Sequence, residues 1–238
     1  MSQKPKKNQP ETPSEIQDRD VFLTPFYATD LIVPFIPKNV KKIWECASGE
    51  LKLISRRLEY WGYAVYSTDL LFGQNFLEYE PDFEFDCIIT NTPFSIKSKF
   101  YQRCLQHGKP FGLLLPADYS KWICKSITDD SSEKIVPDSR INYITPNVTD
   151  IVWKSDIKKK IELEYNKKYK KYKDIPKNLI DKWSPFVHKY QTIMEIPNEK
   201  IAKNSSSQFH SMWLTNGFQI GSPETIVELN NKEKTNIK

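Results

Sequence analysis

The stretch Asp86-Cys87-Ile88-Ile89-Thr90-Asn91-Thr92-Pro93-Phe94-Ser95 joins an apolar run to a polar tetrapeptide. Residues 85–89 have the composition of a buried β-strand, and the tetrapeptide Asn91-Thr92-Pro93-Phe94 follows almost at once. In an open α/β sheet, ligands bind in the crevice beyond the carboxyl ends of the strands. The stretch therefore predicts a binding site at the end of a buried strand. The alternative is an ordinary strand-to-turn connection, because Asn and Pro are common turn residues.

A strand, a turn, a helix and a second strand are predicted before this stretch. Residues 42–45 form the first strand, and Cys46-Ala47-Ser48-Gly49-Glu50 forms the turn. The helix has one apolar stripe and ends at Gly62; the stripe consists of Leu51, Ile54, Leu58 and Trp61. Residues 63–68 form the second strand, which Asp69 follows. This order is typical of the nucleotide-binding half of a doubly wound sheet, where an acid after the second strand binds ribose hydroxyls.

The rest of the chain supplies the elements needed to complete a sheet. They are a helix at 97–107, a strand at 111–115, a helix at 118–127, strands at 140–144 and 149–153, and a terminal hairpin at 207–220. The hairpin is predicted from Asn216-Gly217, a favoured two-residue turn. We therefore expect one α/β domain with a mostly parallel seven-stranded sheet, helices on both faces and an antiparallel terminal hairpin.

Composition and charge suggest where this domain begins and ends. Residues 1–20 have the composition of a disordered tail, residues 21–222 form the domain, and residues 223–238 are expected to be a flexible tail. Residues 154–203 are interpreted as a basic helical insertion. The stretch 154–173 holds nine lysines and three acids, a net charge of +6, whereas the whole chain carries +5. Basicity confined to one segment favours a polyanionic partner, although a solvated helix face is the common alternative.

Several classes of protein are disfavoured by the sequence. No apolar run approaches the roughly 20 residues of a membrane span, and the N-terminus lacks the apolar core of a secretory signal. The four cysteines and three histidines show no metal-ligand spacing, so no metal site is expected. Unpaired cysteines in predicted strands indicate a reducing compartment, and we expect a cytoplasmic or nuclear protein.

Four short motifs now stand in a recognisable order. Thr24-Pro25, Glu45 to Gly49, Asp69 and Asn91 to Phe94 together resemble the S-adenosylmethionine-dependent adenine-N6 DNA methyltransferases, which carry an Asn-Pro-Pro-Phe type tetrapeptide. The resemblance covers residues 22–115 well and the remainder loosely. It implies a Rossmann-like, class I methyltransferase fold. It also implies methyl transfer to DNA rather than to RNA, with S-adenosylmethionine as the cofactor.

The resemblance assigns roles to individual residues. The Asn91 side chain and the Thr92 carbonyl would accept hydrogen bonds from the adenine amino group, with Pro93 holding the backbone and Phe94 stacking on the base. The cofactor-binding residues would be Thr24, Pro25, Glu45, Cys46, Ala47, Gly49, Asp69, Leu70, Asn75 and Phe76. Among these, Glu45 would hold the cofactor's amino group, Asp69 its ribose, and Asn75 with Phe76 would face its adenine. The candidate nucleic-acid-binding residues are Lys158, Lys159, Lys160, Lys167, Lys168, Lys170 and Lys171.

The sequence departs from the family pattern at three positions. Thr92 replaces a proline, Leu51 replaces a second glycine of the cofactor loop, and Asn75 stands where an acid is common. Target recognition is expected in residues 154–203 and in the loop after Pro116. Two further functions stay open: methylation of RNA bases or of glutamine in proteins, and a non-catalytic nucleic-acid-binding subunit that needs a catalytic partner.

Overall fold

The computed structural model describes residues 22–144, 158–159, 161–162, 171–178 and 209–229. The tail predicted at residues 1–20 and the strand predicted at residues 149–153 lie outside these ranges. Most of the basic insertion predicted at residues 154–203 lies outside them as well.

Seven strands form a single sheet in the order β2-β1-β3-β4-β6-β5-β7. The strands are β1 Lys42–Glu45, β2 Ala64–Ser67, β3 Cys87–Asn91, β4 Phe111–Pro116, β5 Glu133–Pro137, β6 Ser211–Asn216 and β7 Glu224–Val227. Every neighbouring pair is parallel except those that involve β6, which is antiparallel to both β4 and β5. The predicted α/β class and mostly parallel seven-stranded sheet are therefore confirmed, and the fold is Rossmann-like.

The C-terminal part of the sheet differs from the sequence-based prediction in two details. Gly217 does end β6, but the next strand, β7, pairs with β5 rather than folding back on β6. The antiparallel strand is therefore β6, which pairs with β4 and β5, and Asn216-Gly217 does not close a hairpin between β6 and β7. The prediction of a flexible tail from residue 223 is also wrong at Glu224–Val227, which form the edge strand β7.

Alternating side chains of the strands pack on opposite faces of the sheet, as the period of two requires. One face is covered by α1 Phe26–Asp30 and α2 Leu53–Tyr60, and its strand residues include Ile43, Ile89, Leu114 and Trp213. The other face is covered by α3 Lys97–His107 and α4 Lys121–Thr128, and its strand residues include Trp44, Ile88, Leu113 and Leu214. The predicted arrangement of helices on both faces is confirmed.

The helix after β1 is shorter than its apolar stripe suggested. It begins at Leu53, so Leu51 lies in the preceding turn, where it is buried. Trp61 was placed on the same stripe but is 48% exposed, and its indole nitrogen donates to the Asp30 carboxylate at 2.7 Å. Arg57 forms a bidentate ion pair with Asp30 at 2.6 and 2.8 Å. These contacts join α2 to α1.

Parallel pairing brings the ends of several strands to one edge of the sheet. The carboxyl ends of β1, β2, β3 and β4 lie there, together with the end of β5 at Pro137. Because β6 runs the opposite way, its first residue, Ser211, lies at the same edge, and the His210 ring contacts the Pro137 carbonyl. We call this the carboxyl edge. In the described part of the chain, no helix has the length and apolar character that a membrane crossing requires.

Candidate active site

The tetrapeptide lies at the carboxyl edge, where the sequence placed it. Asn91 is the last residue of β3, and the Thr92 amide still bonds to the Leu114 carbonyl of β4 at 3.2 Å. Pro93 has φ of -57°, and Phe94 begins a short 3-10 turn. The backbone therefore stays tied to the sheet through Thr92 before it turns away.

The two ends of the Asn91 amide have different surroundings. Its nitrogen Nδ2 donates to the backbone carbonyl of Phe22 at 3.2 Å. Because a carbonyl can only accept, this contact assigns the nitrogen and the oxygen of the amide. The oxygen Oδ1 is buried and has no hydrogen-bond partner among the described residues. Such an acceptor costs about 1–3 kcal/mol when it stays unpaired, and a ligand that donates a hydrogen bond to it would remove that cost.

Four aromatic rings, among them Phe94 of the tetrapeptide, contact one another in every pairwise combination. The Phe94 ring stacks on the Phe22 ring, with centroids 5.2 Å apart and planes 26° apart. Phe209 meets Phe94 edge-on at 5.3 Å, and Tyr143 lies 5.4 Å from Phe22. The Tyr143 hydroxyl bonds to Ser211 at 2.9 Å, and burial raises the pKa of that phenol above its usual range. We call Phe22, Phe94, Tyr143 and Phe209 the aromatic cluster.

Sequence reasoning identified only Phe94 of this cluster. Phe22 could have been noticed, because it stands two residues before the Thr24-Pro25 motif. No spacing or motif distinguishes Tyr143 or Phe209, which reach the site from distant parts of the chain.

Glu45 ends β1 and is almost completely buried, with 1% of its surface exposed. Its Oε2 accepts the Ser55 amide at 2.8 Å in the first turn of α2, and it also contacts the Ser55 hydroxyl. Burial raises the pKa of Glu45 to about 8, and the Ser55 hydrogen bonds oppose this rise. In this structure the carboxyl group joins the strand to the helix beneath the turn.

Asp69 connects the turn after β1 with the segment after β2. Its Oδ2 accepts the Gly49 amide at 2.7 Å, and its Oδ1 accepts the Leu71 amide at 2.8 Å. Each carboxylate oxygen can accept a second hydrogen bond, so the group retains capacity for a ligand. Gly49 has φ of 62°, and a Cβ built there meets no atom of the described residues within 4 Å. The turn therefore leaves open space beside an acceptor carboxylate, which suits a sugar diol.

The other predicted cofactor-binding residues surround this turn. Cys46 is buried, and its burial raises the thiol pKa well above the usual value. Ala47 is half-buried, and Leu70 is the first residue of the 3-10 turn after Asp69. Thr24 and Pro25 are both buried at the start of α1, next in sequence to Phe22 and Leu23. Thr24 makes no side-chain cap on that helix, where Pro25 is the N-cap residue.

Asn75 and Phe76 were expected to face a cofactor's adenine. The Asn75 Oδ1 accepts the Leu77 amide at 3.2 Å and stabilises a turn. The Phe76 ring is 2% exposed and packs against Trp44 and Phe100 in the core. The structure therefore corrects the expectation for the Phe76 ring, which lies in the interior and does not line the open turn.

Leu51 replaces a glycine of the family pattern at this turn, and its side chain is buried at 8% exposure. It therefore does not project into the open space beside Gly49. Leu51 itself does not have a left-handed backbone conformation, but the next residue, Lys52, does, with φ of 51°. For a residue with a side chain this conformation costs roughly 1 kcal/mol.

The predicted nucleic-acid-binding lysines lie mostly outside the described residues. Lys158, Lys159 and Lys171 are described, whereas Lys160, Lys167, Lys168 and Lys170 are not. Lys159 and Lys171 are exposed, and Lys158 is half-buried and lies 3.9 Å from Glu162. Ile161, between them, is completely buried. Over the few positions that are described, exposed lysines and a buried isoleucine alternate as on an amphipathic helix.

The order of the strands determines how far apart the polar groups lie. β2 and β3 both flank β1, so their carboxyl ends are two strand spacings apart, about 10 Å. Asp69 follows β2, Gly49 follows β1 and Asn91 ends β3. A ligand that contacts all three groups would hold its hydroxyls near Asp69 and present a reacting group towards Asn91. No protein-family model matches this chain, and a search of curated proteins finds no match either.

Proposed function

We propose that this protein transfers a methyl group from S-adenosylmethionine to the N6 amino group of adenine in DNA. The observation that carries the proposal is the buried, unpartnered Oδ1 of Asn91 at the end of β3. An acceptor in this position binds an amino group well, and the Phe94 ring beside it offers a planar surface.

The reaction needs acceptors because an adenine amino group is a poor nucleophile. Its lone pair is delocalised into the ring, and acceptors on both hydrogens favour the pyramidal geometry that releases it. Asn91 Oδ1 serves as one acceptor, and the Thr92 carbonyl, next to the rigid Pro93, serves as the second. Fixed dipoles of this kind act without reorganisation during the reaction.

The residues around the turn fit the proposed cofactor. Asp69 has acceptor capacity for two ribose hydroxyls, and Gly49 allows close approach to the backbone. When bound, S-adenosylmethionine supplies an electrophilic methyl group on a sulfonium centre. The role of this chain is then to bind and orient both reactants and to exclude water.

A base must displace the Phe22 ring to stack on the face of Phe94 that Phe22 covers. A ring placed between two others needs a separation of about 7 Å, twice the contact distance of carbon atoms. The two centroids are 5.2 Å apart, so no base fits between the two rings until the Phe22 side chain turns away from Phe94. Stacking on Phe94 contributes about 1–3 kcal/mol, which is comparable to the cost of unstacking a base from a duplex.

Methyl transfer from tritiated S-adenosylmethionine to DNA, RNA and protein tests the proposal directly. We expect label in DNA, recovered as N6-methyladenine by nucleoside mass spectrometry. Asn91→Ala and Phe94→Ala should abolish the label while thermal unfolding stays cooperative. The control is Tyr60→Ala, which removes an aromatic ring that is 67% exposed and lies outside the site. Label in RNA or protein instead of DNA, or full activity in both site variants, would contradict the proposal.

A further inference from the structure

An asparagine can serve as an acceptor only if its amide is held in one orientation. The oxygen and the nitrogen of the amide have nearly the same size, so a free side chain rotates between two states. In the wrong state, Asn91 would point two N–H donors at an amino group that also donates. The site therefore needs a group that selects the productive state.

We propose that Phe22 is a positioning residue whose backbone carbonyl fixes the orientation of the Asn91 amide. This inference rests on the proposed function, because it concerns how the same amide meets an amino group. The carbonyl accepts from Nδ2 at 3.2 Å, and this contact leaves Oδ1 as the unpartnered end of the amide. Sequence reasoning assigned no role to Phe22.

The Phe22 carbonyl is itself held on both sides. Leu23, the next residue, forms an isolated antiparallel bridge with Ile144 through hydrogen bonds of 3.2 and 3.0 Å. The Phe22 ring contacts the other three members of the aromatic cluster. The two backbone hydrogen bonds of Leu23 therefore locate the carbonyl of the preceding residue, and they can persist when the Phe22 ring is displaced.

Asn91→Asp tests the inference because it replaces the amide donor with an oxygen without changing the shape of the side chain. When the introduced carboxyl group is ionised, one of its oxygens lies against the Phe22 carbonyl, and the two repel each other. When it is protonated, it donates to the carbonyl and leaves its other oxygen free, which restores the arrangement of the asparagine. The variant should therefore work best when its new side chain is protonated.

The pH profile is the first measurement. Relative to the native protein, the methyl-transfer activity of Asn91→Asp should rise by at least about tenfold between pH 8 and pH 5, since each pH unit above the pKa changes the protonated fraction tenfold. Tyr143 and His210 are titratable groups on neighbouring segments, and burial keeps the Tyr143 phenol neutral by raising its pKa. Both groups are present in the native protein, which therefore serves as the reference at every pH.

Thermal unfolding is the second measurement and needs no activity. Protonation of the introduced carboxyl group is favoured in the folded state, so its folded pKa lies above the unfolded value of about 3.9. Its stabilising hydrogen bond is present at low pH and is lost as pH rises through the folded pKa. The midpoint of Asn91→Asp should thus fall towards neutral pH relative to the native protein.

Asn75→Asp is the matched control for stability. Asn75 uses its oxygen to accept the Leu77 amide, so a carboxylate improves that contact and lowers the pKa of the new side chain. Its stability relative to the native protein should change with pH in the opposite direction. A native-like pH profile of Asn91→Asp, or a stability difference that does not vary with pH, would overturn the role of Phe22. If the native protein methylates nothing, the proposed function fails, and the stability measurement still decides the inference.

Discussion

Replacing Glu45 with glutamine should make the protein more stable at neutral and alkaline pH. Glu45 is 1% exposed, and burial raises its pKa from 4.5 to about 8. Glutamine keeps an oxygen for the Ser55 amide but has no charge to bury. It therefore imitates the protonated glutamic acid that we expect in the folded protein at pH 5.

The size of this pH-dependent change in stability follows from the difference between the pKa values of Glu45 in the folded and unfolded states. Between pH 4.5 and pH 8 the folded state holds a proton on Glu45 that the unfolded state releases. The native protein should then lose about 1.4 kcal/mol of stability for each pH unit, or roughly 4 kcal/mol between pH 5 and pH 8. The sign is that of a carboxyl group with a raised pKa: its contribution is favourable at low pH and is lost as pH rises.

Urea unfolding of the native protein and of Glu45→Gln at half-unit steps from pH 5 to pH 9 measures the difference. We expect the two curves to meet near pH 5 and to separate as pH rises, with the variant above the native protein. Glu59→Gln, an exposed position on the same helix, is the control and should run parallel to the native protein. A difference between native protein and Glu45→Gln that is independent of pH would refute the buried, protonated state of Glu45.

Two other predictions concern the core and the basic insertion. Gly112→Ala should lower the free energy of unfolding by about 1–3 kcal/mol through overpacking, because its Cβ would lie 2.3 Å from Ile32 Cδ1. Adding Ile32→Val to the same chain removes that atom and should recover most of the loss in urea unfolding. If the effects of the two substitutions are simply additive, this clash is not the cause. Charge reversal across the lysines at 158–171 should weaken DNA binding and flatten its dependence on salt in fluorescence titrations, whereas unchanged binding would indicate a solvated helix face.

The sequence predicts the first half of the fold well because its signals there are local. β1 and α3 have the predicted bounds, and the turn after β1 is followed by the expected helix and then the expected strand. β5 was not predicted, since it contains a lysine that breaks the apolar pattern. Lys134 is buried at 2% exposure and is neutralised by Glu224 of β7 at 3.0 Å. That contact joins positions far apart in the chain, and no local pattern reports it.

The same distinction separates the predicted from the unpredicted parts of the site. The sequence places Asn91, Asp69 and Gly49 at the carboxyl edge because each stands at or just after the end of a recognisable strand, and the topology brings the strand ends together. The strand predicted at residues 140–144 reduces to one bridge at Ile144, whose partner is Leu23. The aromatic cluster depends on this bridge and on the entry of β6 at the carboxyl edge. Those are tertiary events, which is why the sequence disclosed Phe94 but not its neighbours.

The position of Tyr143 and Phe209 has a consequence for how this protein can vary. Their rings lie 5.8 Å apart, although more than sixty residues separate them in the chain. Tyr143 and Phe209, which flank the intervening segment, thus lie close together beside Phe94. Closing a loop costs only about 0.6 kcal/mol more for each doubling of its length. Because its two flanking residues already meet, a change in the length of the intervening segment adds little to the entropy cost of closing it.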